Sequence, residues 1–153
     1  MKTQYTFFWN GPFSNWYHSV FVYKNNTFNN SEQAYMWEKA LFFGDTETAD
    51  KILKCKSPKE AKDLGRAVKN YDDFAWSNVR FDIMYNVCFE KYNQNPRLKN
   101  LILENSNFVE ASPYDKIWGI GMREGAPGIE DSNNWKGQNL LGKVLNKVKE
   151  NIS

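Results

Sequence analysis

The 153 residues suit one domain with a core of its own, and the expectation is a single domain over residues 1–153. A net charge of +2 falls short of the basic excess that a protein needs to hold nucleic acid by its phosphates alone. His18 is the only histidine and Cys55 and Cys88 the only cysteines, too few for a zinc site of Cys and His ligands, so no metal and no cofactor is expected.

No other feature suggests a disulfide framework, and nothing around His18 resembles the nucleophile elbow of a Ser-His-Asp triad. No run approaches the roughly 18 apolar residues of a membrane span. The start, Met1-Lys2-Thr3-Gln4-Tyr5, lacks the apolar core of a leader, so a soluble, cytoplasmic protein is expected. Aromatics make up 16% of the chain, including 6 Trp, more than packing usually requires. Most belong in the core, but flat ligands such as nucleobases stack on such rings.

In chain order, residues 5–9 are aromatic and β-prone, and Asn10-Gly11-Pro12 ends them with turn chemistry. Phe13-Ser14-Asn15-Trp16-Tyr17 reads as a loop of groups that stack or hydrogen-bond. Residues 19–23 form a second strand, turned by Lys24-Asn25-Asn26-Thr27 towards a short partner near Phe28. The expectation is therefore a small N-terminal β-sheet followed by a mainly helical chain, an α+β fold.

Residues 31–43 read as a helix with Ser31 as N-cap and Gly44-Asp45 as its stop. With Ser31 as cap, the third helical position holds Ala34, so no capping box is expected. Residues 47–54 read as a short surface helix. Ser57-Pro58-Lys59-Glu60 is a well-formed start signal for a helix to about Gly65-Arg66. A long amphipathic helix is expected over residues 72–93 and another from Asn95-Pro96 through Glu104, followed by a strand over residues 108–111. The long loop of residues 112–135 is unusual for a compact domain and points to function. A last helix is expected over residues 138–150.

Three groups stand out by chemistry. Glu32 and Lys39 are seven residues apart on one helix, so they share nearly one azimuth about 10.5 Å apart along the axis, with Tyr35 and Met36 between them. The bland alternative is a half-buried helix whose two charges reach solvent. An apolar setting would push Lys39 towards a neutral amine able to attack a carbonyl. Asp115 stands between Tyr114 and Trp118, where desolvation would suit it to move protons; its bland alternative is an Asx-turn residue. Gly119-Ile120-Gly121 lacks the third glycine of a dinucleotide fingerprint. Arg66 after Gly65 could hold a phosphate at a helix end, though lone arginines are usually surface residues.

Three longer blocks carry a resemblance: Ser31-Glu32-Gln33-Ala34-Tyr35-Met36-Trp37-Glu38-Lys39-Ala40, Ser112-Pro113-Tyr114-Asp115-Lys116-Ile117-Trp118-Gly119-Ile120-Gly121 and Trp135-Lys136-Gly137-Gln138-Asn139-Leu140-Leu141-Gly142. Together with Asn15-Trp16, Gly65-Arg66 and Trp76 in the same order, they resemble the signature of the NADAR, or YbiA-like, family over almost the whole chain. The resemblance implies cleavage of N-glycosidic bonds joining a ribose to an amine. One branch acts on phosphoribosylamino-pyrimidine intermediates of riboflavin synthesis. Another removes ADP-ribose from guanine in DNA or RNA, sometimes opposite an ADP-ribosyltransferase toxin.

By this resemblance Glu32, Lys39 and Asp115 are the catalytic candidates, expected to line one cleft walled by Trp76 and Trp118. Asn15, Trp16, Arg66, Gly119 and Asn139 join those tryptophans as substrate-binding candidates. A module that binds ADP-ribose without turnover is the alternative from another class, and the joint presence of Glu32, Lys39 and Asp115 argues against it.

Overall fold

Turn chemistry sets the first hairpin in the computed structural model of the chain, which describes residues 3–152. Met1 and Lys2, part of the start read for a leader, and Ser153 lie outside the described residues. Lys24 and Asn25 both take positive φ, 48° and 66°, as a two-residue hairpin turn requires. They join β2 (Phe21–Tyr23) to β3 (Asn26–Phe28), antiparallel with Phe21 opposite Phe28. The strand near the N-terminus, β1 (Thr6–Phe8), does not join them. It pairs in parallel with β4 (Phe108–Glu110), Thr6 opposite Phe108. The small sheet is thus two separate two-stranded pairs, because β1 finds its partner about 100 residues away.

The chain divides into two compact units, residues 15–95 and residues 3–14 with 96–152. In the first, α1 (Ser31–Phe42), α2 (Thr46–Lys54), α3 (Pro58–Arg66) and α4 (Asp73–Gln94) follow the hairpin. Asn30, not Ser31, caps α1: its Oδ1 accepts from the Gln33 N–H at 2.8 Å. That shift puts Gln33 at the third helical position, where its Oε1 accepts from the Asn29 N–H at 2.8 Å. The reciprocal pair does the work of a capping box, which the sequence reading, with Ser31 as cap, did not expect.

Gly44, at φ 75°, ends α1: its N–H reaches the Leu41 carbonyl and the Asp45 N–H reaches that of Ala40. This is a Schellman closure. Asp45 then caps α2, accepting from the Thr48 N–H at 3.1 Å and the Lys69 N–H at 2.9 Å. Ser57 caps α3 through the Glu60 N–H. The unit's core joins Phe21, Tyr23 and Phe28 of the hairpin to Ala34, Trp37 and Ala40 of α1, with Ile52 and Val87. At Gly65 a Cβ would lie 2.2 Å from Met36 Sδ, so the missing side chain lets α3 approach α1.

The second unit holds β1 and β4, α5 (Pro96–Glu104), a single 3-10 turn at Ser132–Asn134 and α6 (Leu140–Asn151). Its small core of Val109, Ala111, Ile120 and Ile129 is flanked by Tyr5, Phe7, Met122 and Trp135. The last helix starts two residues later than the sequence suggested, because Asn139 takes the left-handed conformation at φ 54° and so stands outside it. No helix of the described residues is long and apolar enough to cross a membrane.

Gly142 tests how closely α6 approaches β4. An added Cβ would stand 2.0 Å from the Phe108 carbonyl oxygen, which is backbone and cannot move aside cheaply. Alanine gains about 1 kcal/mol over glycine inside a helix, so a free site would be stabilised by Gly142→Ala. The overlap reverses the sign. Gly142→Ala should lose about 1–3 kcal/mol net, measured by denaturant unfolding.

Candidate active site

The loop at Asn15 fixes the start of α1. The Asn15 carbonyl accepts from the Glu32 N–H at 3.1 Å, and its side-chain oxygen accepts from the Ser31 hydroxyl at 2.8 Å. Asn15, Ser31 and Gln33 are all buried, and Gln33 Nε2 also donates to the Ile52 carbonyl at 3.0 Å. These bonds hold Glu32 in the first helical turn with its side chain largely out of water, where the helix dipole favours a carboxylate.

Two turns further along, Lys39 is half-buried. Burial pushes its amine below the ordinary lysine value, and the charge of Arg66 acts in the same direction. Glu32 and Asp73 pull the other way by favouring the ammonium form. The Lys39 Nζ lies 4.5 Å from the centre of the Tyr71 ring. Trp76 is buried on α4, donating its indole N–H to the Tyr35 hydroxyl at 3.0 Å, and its ring packs against Phe42 and Phe43. Burial raises the Tyr35 phenol strongly, so this hydroxyl stays neutral and serves the tryptophan as an acceptor. Trp16 is exposed, with the Lys62 Nζ 5.9 Å from its ring centre.

In residues 15–95 the structure therefore sets a buried acid at the start of α1 and, at its end, a depressed amine that feels the Arg66 guanidinium beside a wall of rings. A second depressed lysine, Lys91, is lowered to about 8 by burial but is 0% exposed, so a sugar cannot reach it. It continues the apolar face of α4 from Met84, Val87 and Cys88, a burial the sequence signalled only through that spacing. A cleft of about 420 Å³ between the hairpin turn and α4, lined by Tyr23, Tyr85 and Phe89 among others, contains none of the candidate residues.

The remaining candidates lie in the other unit. Asp115 Oδ1 accepts from the N–H groups of Ile117 at 2.9 Å and Trp118 at 2.8 Å, the Asx-turn arrangement. Its own N–H donates to the Ser112 hydroxyl. Trp118 is half-buried. Its carbonyl accepts from the Leu141 N–H and that of Ile117 from the Leu140 N–H, so the loop satisfies the first donors of α6. Gly119 is buried, and a Cβ there would meet the Asp115 and Glu110 carbonyl oxygens at 2.9 and 3.0 Å. Asn139 is buried and donates to the Phe108 carbonyl while accepting from the Glu110 N–H, an amide that pairs with β4 as a strand would.

The sequence reading missed Tyr71, Asp73 and Glu110. Tyr71 lies just before the long helix read over residues 72–93 and Asp73 at its start, with no catalytic pattern at either, and only the fold brings them to Lys39. Glu110 adjoins the second motif block, and one of its carboxylate oxygens is buried beside Gly119.

Such a fold, six helices with two short strand pairs among the described residues, is of the mostly helical α+β class. The NADAR domain family model matches residues 7–153, and the chain belongs to the NADAR family. It is 44% identical over 122 residues to N-glycosidase R617 of Acanthamoeba polyphaga mimivirus, covering 78% of this chain and 72% of that protein. It is 41% identical over 129 residues to Protein irg-1 of Caenorhabditis elegans, covering 82% of this chain, and it spans 61% of that relative's length. A riboflavin biosynthesis protein of Arabidopsis thaliana, PYRR, is 31% identical over 67% of this chain and 16% of its own length. Among solved structures, the NMR structure of Escherichia coli YbiA matches with a TM-score of 0.79 at 25% identity, covering 98% of this chain and 85% of that one. The family thus includes proteins named as N-glycosidases and as riboflavin biosynthesis proteins.

The charges around Lys39 predict a pH dependence. Arg66 disfavours the ammonium, so removing its charge favours that form and raises the pH at which Lys39 loses its proton. In Arg66→Gln, the acid limb of kcat/KM should move to higher pH. A limb that stayed in place or moved down would detach Arg66 from the amine.

Proposed function

We propose that this chain is an N-glycosidase that hydrolyses the bond between C1 of a ribose and an exocyclic amine, with Lys39 as nucleophile. The observation that carries the reading is the depressed, reachable amine of Lys39 on the same helix as buried Glu32. The names of similar proteins support the reaction class.

The chemistry runs without an added co-reactant. A ribosylamine opens when its ring oxygen takes a proton, leaving a C1=N imine to the base. The neutral Lys39 amine adds to C1, the Glu32 carboxylate carries the proton that the new Lys39 nitrogen sheds to the nitrogen of the base, and the amine of the base leaves. What remains is a C1=N bond between sugar and Lys39. Water adds to that carbon with Glu32 as base, Lys39 departs, and the released aldehyde recloses to the sugar. Asp115 is the other motif acid; both of its turn bonds fall on Oδ1, so Oδ2 is the oxygen through which it would move a proton. The competing route is direct attack by water on an oxocarbenium-like C1, with Lys39 only holding substrate.

The proposed substrate is guanine carrying ADP-ribose on its amino group in nucleic acid. The modest charge fits recognition of one nucleotide, since a single extruded base can carry most of the contacts. Similarity to a riboflavin biosynthesis protein favours a second reading, the same bond in a phosphoribosylamino-pyrimidine. Purified protein offered both substrates should show the higher kcat/KM on ADP-ribosylated guanine DNA. A preference for the pyrimidine would move the assignment to the second reading, and turnover of neither would refute the glycosidase.

Two measurements test the details. Borohydride added during turnover should trap a sugar adduct on Lys39, and Lys39→Arg should lose at least about a hundredfold in kcat, because a guanidinium stays protonated. An active Lys39→Arg enzyme with no adduct would instead establish the water route. Binding to modified DNA should weaken only gently with salt, and a slope equivalent to about six or more phosphate contacts would contradict one-nucleotide recognition.

A further inference from the structure

Tyr71 carries no motif, yet it is the side chain whose ring faces the Lys39 amine, at 4.5 Å from nitrogen to ring centre. The ring is fixed from two directions. Its hydroxyl donates to Asp73 Oδ1 at 2.7 Å, in the first turn of α4. Its edge packs against Phe43 at a centroid distance of 5.3 Å, just past the end of α1. An aromatic face attracts an ammonium and offers almost nothing to a neutral amine. Attack on C1 needs the neutral amine.

We infer that Tyr71 is a positioning residue: its ring, packed on Phe43, holds the protonated, resting amine of Lys39, and proton loss releases the lysine for attack. The inference rests on Lys39 being the nucleophile. The charged groups that face Lys39 are Glu32 from its own helix, Arg66 from α3 and Asp73 from α4. Glu32 and Asp73 act with the ring in favour of the ammonium, while burial and Arg66 act against it. Tyr71 itself feels Asp73, Asp72 and Arg80. Burial first, then the bond to Asp73, pushes its phenol up to about 12, so it supplies a neutral ring and not a phenolate.

The roles of ring and hydroxyl separate in two variants. Tyr71→Leu removes the ring, whereas Tyr71→Phe keeps the ring and loses only the bond to Asp73. Both should fold, because Tyr71 is 43% exposed, and thermal unfolding checks this. The reporter is the rate at which acetic anhydride labels Lys39 across a pH series, read by peptide mass without substrate. Losing the ring disfavours the ammonium, so at a fixed pH on the acid side Tyr71→Leu should label about two- to fivefold faster. Tyr71→Phe should label like the wild type. The acid limb of kcat/KM should move to lower pH in Tyr71→Leu alone.

Wild-type labelling in Tyr71→Leu would overturn the inference while leaving the nucleophile reading intact if borohydride still traps Lys39. Equal acceleration in both variants would also overturn it, by assigning the effect to the hydroxyl. Faster labelling in Tyr71→Leu with an unmoved kcat/KM profile and no trapped adduct would remove the nucleophile reading, and the catalytic part of the inference with it.

Discussion

The buried polar groups at the start of α1 are the constraint on which the candidate site depends. Ser31 and Gln33 have almost no solvent contact, so each donor and acceptor left without a partner would cost about 1–3 kcal/mol. They are satisfied only if the Asn15 loop, the Asn29-Asn30 turn and the C-terminal end of α2 all stand where they do. Apolar packing tolerates sliding and rotation of a helix, whereas hydrogen bonds in several directions do not. The rotation of α1 is thereby set, and with it the direction in which Glu32 and Lys39 point.

Much of this was legible along the chain. Pro58 with Ser57 and Glu60, Gly44 after α1, and the Lys24-Asn25 turn are local chemistry, and each marks its element to within a residue or so. Errors came where two local signals competed. Ser31 is a good cap, but so is Asn30, and the tertiary bonds of Ser31 to Asn15 take its hydroxyl elsewhere. The partner of β1 was not legible at all, because no periodicity relates residues about 100 positions apart.

The site was legible in kind more than in detail. The i, i+7 spacing placed Glu32 and Lys39 on one helix face, but the other groups that tune Lys39 come from α3, from the segment before α4 and from the first turn of α4. Asp115 and Asn139 show the opposite lesson. Their side chains bond to backbone groups, so part of what makes their motifs recognisable is the architecture of a loop and a strand edge.

The parallel pairing of β1 with β4 has a consequence for how the chain acquires its structure. During synthesis, β1 emerges roughly 100 residues before the strand that pairs with it. At about 5–20 residues per second, that leaves an aromatic strand edge without its partner for about 5–20 s. Residues 15–95 form a compact unit whose pairings are all internal to that span, so they can fold while β1 waits. Of the four strands described, β1 is made before the others and paired last. Substitutions in Thr6–Phe8 therefore act at two stages, on the unpaired edge of the nascent chain and, at buried Phe8, on the packing of the finished fold.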